Sequence, residues 1–206
     1  MPGDDFETYF HQRARRFSAF YASEPVARAL GRGPMFDRLR LATEITRSLA
    51  PSRVLDVGCG SGPLFAQLAP RGVHITGIDP AEAMVRLARQ EAEQYPGMVE
   101  VAQLKWEDLT ANDEFDVAVA LGVFDYVGEP ARLLEKMGAA ADHIIGSFPS
   151  PGLRLELRKV RYGARGVTVH GYTQVDFLHL ANEVGLDVAD RFPLGDAGYV
   201  VHFRRR

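Results

Sequence analysis

The sequence contains one cysteine, no long apolar run and no excess of positive charge, and each shortage excludes a class of protein. Cys59 has no second cysteine with which to form an internal disulfide, which fits a reducing compartment. No apolar run is long enough to span a bilayer, and the first twenty residues do not resemble a signal peptide. The formal net charge of −3 provides no basic field that would attract nucleic acid. We therefore expect a cytoplasmic protein without a membrane span or a nucleic-acid partner.

The most informative stretch that is present is VLDVGCGSG, residues 54–62, where an apolar run meets an acidic residue and three glycines. The apolar residues favour a β-strand, and the glycines let the backbone turn sharply and approach a ligand without a Cβ in the way. Ser61 is placed to cap a following helix, with Pro63 in the first turn and Phe65 on the apolar face. The pattern predicts a strand, a glycine loop and a helix.

Several nucleotide-binding folds place a ligand against such a loop, so the neighbouring residues must decide between them. A phosphate-binding P-loop needs Gly-Lys-Ser/Thr, and no lysine lies within reach of this loop. The dinucleotide fingerprint has its third glycine at the place that Pro63 occupies. Asp56 puts a carboxylate under the loop, which suits an amino group better than a pyrophosphate. A tight turn without a ligand remains the structural alternative.

A second acidic residue, Asp79, follows the next predicted strand, Val73 to Ile78. It lies about twenty residues past the glycines, where a strand-end carboxylate can accept hydrogen bonds from both ribose hydroxyls. Met84 and Leu87 belong to the helical pattern that follows. Taken alone, such an aspartate is more often a plain turn residue at a strand end, but in register with the glycine loop Asp79 indicates a ribose ligand.

Strands and helices alternate from residue 53 onward, which requires a parallel sheet with crossovers on both faces. Strands are predicted near 53–57, 73–78, 99–104, 115–120 and 142–148, after N-terminal helices near Asp5 to Tyr21 and Pro34 to Leu49. A helix over Gln174 to Val184, capped by Thr173 with Asp176 at its third position, precedes strands near Leu186 to Arg191 and Tyr199 to Phe203.

The last two predicted strands are joined by Phe192 to Gly198, which is too short for a crossover helix, so the last strand must run antiparallel. The predicted fold class is α/β: a Rossmann-like three-layer sandwich with a mostly parallel seven-stranded sheet, an antiparallel last strand and N-terminal helices.

These features resemble the class I S-adenosylmethionine-dependent methyltransferases, from about Arg53 to the end of the chain. VLDVGCGSG is similar to their first motif, ITGIDP to their second, and FDVAVALGVFDYV, residues 115–127, to their fourth strand. The resemblance implies that S-adenosylmethionine binds at the glycine loop and leaves as S-adenosylhomocysteine. The cofactor-binding residues that it implies are Asp56, Gly58, Cys59, Gly60, Asp79, Pro80, Met84, Trp106, Glu107 and Leu121.

One position departs from that family. Its members often have an aspartate where Lys105 stands, accepting a hydrogen bond from the adenine amino group, and a lysine has no acceptor. The adenine is therefore expected to be held by backbone and by Trp106 or Glu107.

A narrower resemblance is to the magnesium-protoporphyrin O-methyltransferases, which esterify a propionate carboxylate. It rests on the N-terminal run YFHQRARRFSAFY, on ALGVFDYV and on a basic insert. Tyr21 falls where that family has a tyrosine implicated in the site. The family's histidine after the fourth strand is replaced by Asp125, which cannot act as a neutral imidazole. We therefore carry over the scaffold and not the porphyrin substrate.

The length and apolar content fit one domain over residues 1–206. We expect an N-terminal helical cap (1–50), a cofactor-binding core (51–148), a lid or substrate insert (149–171) and a C-terminal helix with a strand hairpin (172–206). Ligands of open α/β sheets bind at the carboxyl ends of the strands, so the cap and the insert should enclose the acceptor.

The candidates for catalytic residues follow from their position near those strand ends. Tyr21, Asp125 and His170 are the predicted catalytic residues, with Tyr126 and Tyr172 beside them. Each also has a structural interpretation, as a packing residue, a turn cap or a solvated loop residue. No histidine or cysteine cluster has the spacing of metal ligands, so no metal is expected.

Five cationic side chains lie within residues 154–165 of the insert. They are compatible with an exposed helical face and equally with a lid that attracts an anionic substrate. Both interpretations stay open at this point.

The function predicted from the sequence is methyl transfer from S-adenosylmethionine to a small-molecule acceptor, with oxygen favoured over nitrogen or carbon. The alternative is an NAD(P)-dependent oxidoreductase with a Rossmann domain, followed by a cofactor-binding module without catalysis. The sequence determines neither the acceptor nor the oligomeric state.

Overall fold

The structure is a computed structural model that describes residues 8–9, 11–12, 14, 23–110 and 114–206. Its helices are α1 (Glu24–Ala29), α2 (Gly33–Ser48), α3 (Phe65–Leu68), α4 (Glu82–Ala92), α5 (Pro130–Ala140), α6 (Leu153–Gly163) and α7 (Gln174–Glu183). Its strands are β1 (Arg53–Val57), β2 (His74–Asp79), β3 (Val99–Gln103), β4 (Phe115–Ala120), β5 (Ala141–Phe148), β6 (Leu186–Pro193) and β7 (Tyr199–Arg205). The predicted helix near Asp5 to Tyr21 lies largely outside the described residues.

Within these residues the strands form one seven-stranded sheet in the order β3-β2-β1-β4-β5-β7-β6. The pairs from β3 to β5 are parallel, and β7 is antiparallel to both of its neighbours. The short turn after β6 forces this reversal, because it leaves no room for a crossover helix. The predicted α/β fold with an antiparallel last strand is confirmed.

The central strands β1, β4 and β5 are buried on both faces, which explains their almost continuous apolar runs. Val54 and Val117 pack with residues of α2 and α3 on one face. Leu55 and Ala118 pack with residues of α5 and α7 on the other. Because side chains alternate along a strand, each central strand supplies both layers of the core.

One local prediction was wrong, one helix was missed and one prediction was confirmed. Ser61 does not cap the helix after the glycine loop, because α3 begins only at Phe65 and has no side-chain cap. Backbone turns replace the cap: the Gly62 N–H donates to the Cys59 carbonyl, and the Phe65 N–H donates to the Gly62 carbonyl, each at 3.0 Å. The short helix α1 was not predicted. The capping box of α7 was, and Thr173 and Asp176 form it.

The fourth strand has the bounds predicted for it, near 115–120, and the family-like segment 115–127 continues beyond its end. β4 stops at Ala120, and residues 121–127 form a turn and loop at its carboxyl end. This loop carries Asp125 and Tyr126 over the edge of the sheet that holds the glycine loop.

The insert over residues 149–171 leaves and rejoins the body at one narrow neck. The Tyr172 N–H donates to the Pro149 carbonyl at 2.7 Å, and the Tyr172 hydroxyl donates to the Phe124 carbonyl at 3.0 Å. Gly198, in the turn before β7, lies against the same neck at a φ of 131°. A Cβ there would come within 2.0 Å of the Phe148 carbonyl oxygen, so only glycine fits.

The described part of the N-terminal segment lies over the carboxyl ends of the strands. Ala14 is buried against Ala81, Ala83 and Met84 at the start of α4. The Tyr9 ring lies 5.2 Å from the ring of Tyr162 on α6. The helical cap over residues 1–50 stays a prediction.

Candidate functional site

The glycine loop is held against the end of β2 by its own backbone. The N–H groups of Gly58 and Cys59 both donate to the Ile78 carbonyl, at 2.8 and 3.0 Å. Gly60 has a φ of 57°, and nothing lies within 4 Å of the place where its Cβ would be. The loop therefore presents bare backbone to open space, as a ligand-binding turn requires.

Two buried carboxylates lie beneath this loop, at the ends of neighbouring strands. Asp79 accepts hydrogen bonds from the N–H groups of Gly60 (3.0 Å) and Ala81 (2.9 Å). Burial, and then the charge of Asp79, raise the pKa of Asp56 to about 7. A carboxylate that is costly to ionise in the folded chain favours a cationic ligand, because the cation would offset the cost.

Cys59 is buried between these carboxylates. Burial raises the pKa of its thiol, and the charges of Asp56 and Asp79 raise it further. The thiol therefore stays protonated and does not act as a nucleophile.

A basic residue that the sequence analysis missed faces the same space. Arg38 on α2 extends over Gly122, where an added Cβ would lie 2.7 Å from both terminal guanidinium nitrogens. Its buried Nε has no hydrogen-bond partner. A cation next to the bare turn after β4 is suited to bind a carboxylate. One feature of the sequence could have indicated Arg38 as a site residue. It directly precedes the buried Leu39 and is therefore a charged residue at the edge of the apolar stripe of α2.

Asp125, one of the predicted catalytic residues, forms a buried ion pair. Its Oδ2 lies 2.5 Å from a guanidinium nitrogen of Arg158 on α6, which also lies 3.3 Å from the Tyr126 hydroxyl. Burial alone would lower the pKa of Arg158, but the Asp125 carboxylate raises it above its ordinary value. Arg158 therefore stays charged, and Asp125 is held as its counter-ion.

Tyrosine rings line the wall formed by α6 and the loop after β4. The rings of Tyr126 and Tyr162 have centroids 5.9 Å apart. Burial raises the pKa of Tyr126, and Asp125 raises it further. Burial opposes ionisation of Tyr162 too, but hydrogen bonds with Tyr126 and Tyr9 and nearby arginines lower its pKa. Tyr126 therefore keeps its proton more firmly, and Tyr162 is the stronger acid of the pair.

These features surround one cavity of about 1060 Å³. That volume lies at the upper end of the ~300–1,000 Å³ typical of small-molecule sites, which leaves room for two ligands side by side. Asp125 and Tyr126 line it, as do Arg38 and Arg158. All of the predicted cofactor-binding residues line it too: Asp56, Gly58, Cys59, Gly60, Asp79, Pro80, Met84, Trp106, Glu107 and Leu121.

The other two predicted catalytic residues are placed differently. His170 does not line the cavity; its backbone N–H donates to the Asp125 carbonyl at 2.8 Å, and its half-buried position lowers its pKa, as does Lys159. Tyr21 lies outside the described residues. Tyr172 is buried in the neck of the insert. In the part of the chain that the structure covers, no group of three or more His, Cys, Asp or Glu residues could hold a metal ion.

No helix within the described ranges is long and apolar enough to cross a membrane.

Comparison with known proteins identifies the kind of domain. Residues 54–141 match a family described as "Methyltransferase domain". A ubiquinone biosynthesis O-methyltransferase from Acinetobacter baylyi is 35% identical over 101 residues, which is 48% of this chain and 42% of that protein. One from Maricaulis maris is 31% identical over 121 residues, 58% of this chain and 47% of that protein. The matched regions cover less than half the length of these curated relatives.

Solved structures share the fold over a larger part of the chain. Magnesium protoporphyrin IX methyltransferase from Synechocystis PCC 6803, crystallised with S-adenosylhomocysteine, has a TM-score of 0.82 at 21% identity. The match covers 98% of this chain and 100% of that one. A 1,6-didemethyltoxoflavin-N1-methyltransferase from Burkholderia thailandensis has a TM-score of 0.68 at 19% identity, covering 93% and 89%. The fold of this chain is therefore that of the S-adenosylmethionine-dependent methyltransferases.

Proposed function

We propose that this chain, which carries a methyltransferase domain at residues 54–141, transfers a methyl group from S-adenosylmethionine to an oxygen of a small-molecule acceptor. The observation that carries the proposal is the distribution of charge around the glycine loop. Asp56 and Asp79 lie buried on one side and Arg38 on the other, around backbone that faces open space. An amino acid joined to a nucleoside matches this arrangement of charges.

Each part of that cofactor has a matching group in the cavity. In our proposal Asp56 binds the α-ammonium group and Arg38 the α-carboxylate, across the bare backbone of Gly60. Asp79 accepts hydrogen bonds from the ribose hydroxyls, since a carboxylate oxygen can accept more than one hydrogen bond. Trp106 and Glu107, in the short helical turn after β3, border the adenine.

The cofactor supplies an electrophilic methyl group on a positively charged sulfur. The chain contributes position and exclusion of water, which are the main requirements of an in-line displacement. Val123 and Phe148 are buried apolar residues of the lining near the end of β4 and β5. They keep solvent from the place where acceptor and methyl group meet.

The acceptor is proposed to be anionic or readily ionised. Asp125 is engaged by Arg158 and is therefore not an independent general base. Arg158 and Arg161 face the cavity from α6, with the Arg161 guanidinium 5.0 Å from the Tyr162 ring centroid. A carboxylate or phenolate acceptor would be attracted by these charges and would need no strong base. Oxygen as the acceptor atom is supported by the O-methyltransferases among the relatives.

A cytoplasmic location is part of the proposal, supported by the single cysteine. The oxidoreductase alternative is not favoured. The glycine loop has Pro63 where a dinucleotide fingerprint has glycine.

Calorimetric titration tests the proposal directly. S-adenosylhomocysteine should bind and NAD should not. Substitution of Arg38 by methionine keeps the length of the side chain but not its charge. It should lower the affinity for S-adenosylhomocysteine by about 10- to 100-fold through loss of a charge-assisted hydrogen bond. Methyl transfer from labelled S-adenosylmethionine to a panel of aromatic acids and phenols then tests the acceptor class. Binding of NAD alone would refute the proposal.

A further inference from the structure

The helix α6 presents an apolar stripe to solvent. Leu153 is 78% exposed, Leu157 64% and Val160 74%. Their spacing of four and three residues places them on one face of the helix. Three large aliphatic side chains in one exposed row are more than the single scattered ones that ordinary surfaces carry.

This stripe is not the face by which α6 packs on the body of the protein. The packing residues of α6 are Leu155 and Tyr162, which are both buried and lie on the opposite side of the helix. A surface helix needs one apolar face, and α6 has two. The outer face is therefore available for something outside the described fold.

The stripe is flanked by positive charge. Residues 153–165 contain five cations, Arg154, Arg158, Lys159, Arg161 and Arg165, against the single acid Glu156. The segment has a net charge of +4 in a chain whose net charge is −3. Asp196 and Asp125, from outside the segment, pair with Arg154 and Arg158, which leaves an excess of two positive charges around the stripe. Arg154, Arg161 and Arg165 lie together along one border of the stripe by helical spacing.

The stripe also borders the mouth of the cavity. Leu153 and Leu157 are among its lining residues, and so is Leu30 at the end of α1, which is itself largely exposed. Exposed leucines after α1 and on α6 therefore border the same cavity.

The charge decides what partner this surface fits. A second copy docked along the stripe about a two-fold axis would set the same arginines against each other, which is unfavourable. A row of aliphatic side chains on a convex helix, bordered by arginines, is typical of helices that lie in the interface of an anionic bilayer. We propose that the outer face of α6 binds the surface of anionic membranes, with the mouth of the cavity turned toward the lipid.

This surface has a matched control elsewhere on the molecule. Val175 (73% exposed) and Leu178 (45% exposed) lie on α7. Like Leu157 and Val160 on α6, they are one valine and one leucine spaced three residues apart. Neither residue lines the cavity. The two double substitutions therefore remove the same apolar groups from two different faces.

The experiment is sedimentation of the full chain with vesicles of phosphatidylcholine, or of phosphatidylcholine with about one phosphatidylglycerol in three lipids. We expect binding to the anionic vesicles alone, weakened by added salt. Leu157→Ser with Val160→Ser should reduce it about tenfold or more, because two aliphatic side chains no longer enter the interface. Arg154→Gln and Arg161→Gln should each reduce it about fivefold. Val175→Ser with Leu178→Ser should leave it unchanged.

Thermal unfolding of each variant checks that the fold is intact. The vesicle assay contains no cofactor, so its outcome does not depend on whether the proposed methyl transfer is correct. Equal binding to neutral and anionic vesicles would overturn the proposal. So would equal binding by the α6 variant and the wild type. A dimer in sedimentation velocity that the α6 substitutions dissociate would assign the stripe to self-association instead.

Discussion

Protonation of Asp56 should control cofactor affinity around neutral pH. Burial raises the pKa of this carboxyl from 3.8 to about 7. If the carboxylate binds the ammonium group of S-adenosylhomocysteine, binding below that pKa must first release a proton. The dissociation constant then rises about tenfold between pH 8 and pH 6, since each step of one pH unit below the pKa costs a factor approaching ten.

Calorimetry at several pH values, in buffers of different ionisation enthalpy, measures both the affinity and the proton released. Close to one proton should be released per ligand at the acidic end and almost none at the alkaline end. Asp56→Asn has nearly the same shape and cannot titrate, so it should bind more weakly with a flat pH profile. A flat profile in the wild type, or an unchanged profile in Asp56→Asn, would refute the reasoning.

The same pKa has a consequence for stability, with a definite sign. A carboxyl whose folded pKa is raised binds its proton more tightly when folded, so ionisation destabilises the fold as pH rises from about 4 through 7. The rise from 3.8 to about 7 corresponds to about 4 kcal/mol at most. In urea unfolding, Asp56→Asn should therefore be more stable than the wild type by about 2 to 4 kcal/mol at pH 8. The difference should shrink toward pH 5.

Three other substitutions and one change of solvent have definite expected results. Asp79→Ala should weaken S-adenosylhomocysteine binding by about 1 to 3 kcal/mol in calorimetry, by loss of charge-assisted hydrogen bonds; unchanged affinity would remove its ribose role. Gly122→Ala should displace the Arg38 guanidinium and weaken the same ligand, as Arg38→Met does, and combining the two should add little further. Arg158→Met should cost about 2 to 4 kcal/mol in urea unfolding because it leaves Asp125 buried and unpaired, and a second change, Asp125→Asn, should recover part of that loss. Added salt should raise the Michaelis constant of an anionic acceptor, and a salt-independent value would mean that the arginines of α6 do not attract it.

Most of the fold was predictable because its signals are local and periodic. Apolar runs, the turn after β6 and the Thr173–Asp176 capping box each depend on residues close in sequence. The start of α3 was not predictable in this way, because backbone turns rather than the Ser61 side chain satisfy the N–H groups there. A short helix such as α1 has too few turns for periodicity to show.

The candidate site divides in the same way. The residues of the glycine loop and Asp79 share one strand-loop-helix unit and the strand after it, so sequence spacing alone brings them together. Arg38 and Gly122 are far apart in sequence, and only the packing of α2 across the sheet places them in contact. The pairing of Asp125 with Arg158 likewise depends on where the insert folds back, which no local pattern specifies.

The neck of the insert makes this region a separable module. The chain enters at Pro149 and returns at Tyr172 within one hydrogen bond of the same point, so lengthening the intervening residues costs little chain entropy. Such a change must keep the Arg158–Asp125 pair and the buried Leu155 and Tyr162, which join the insert to the body. Under our proposal that the insert helps to bind the acceptor, a longer insert would change acceptor preference while the Gly198 turn and the β-strands keep their geometry.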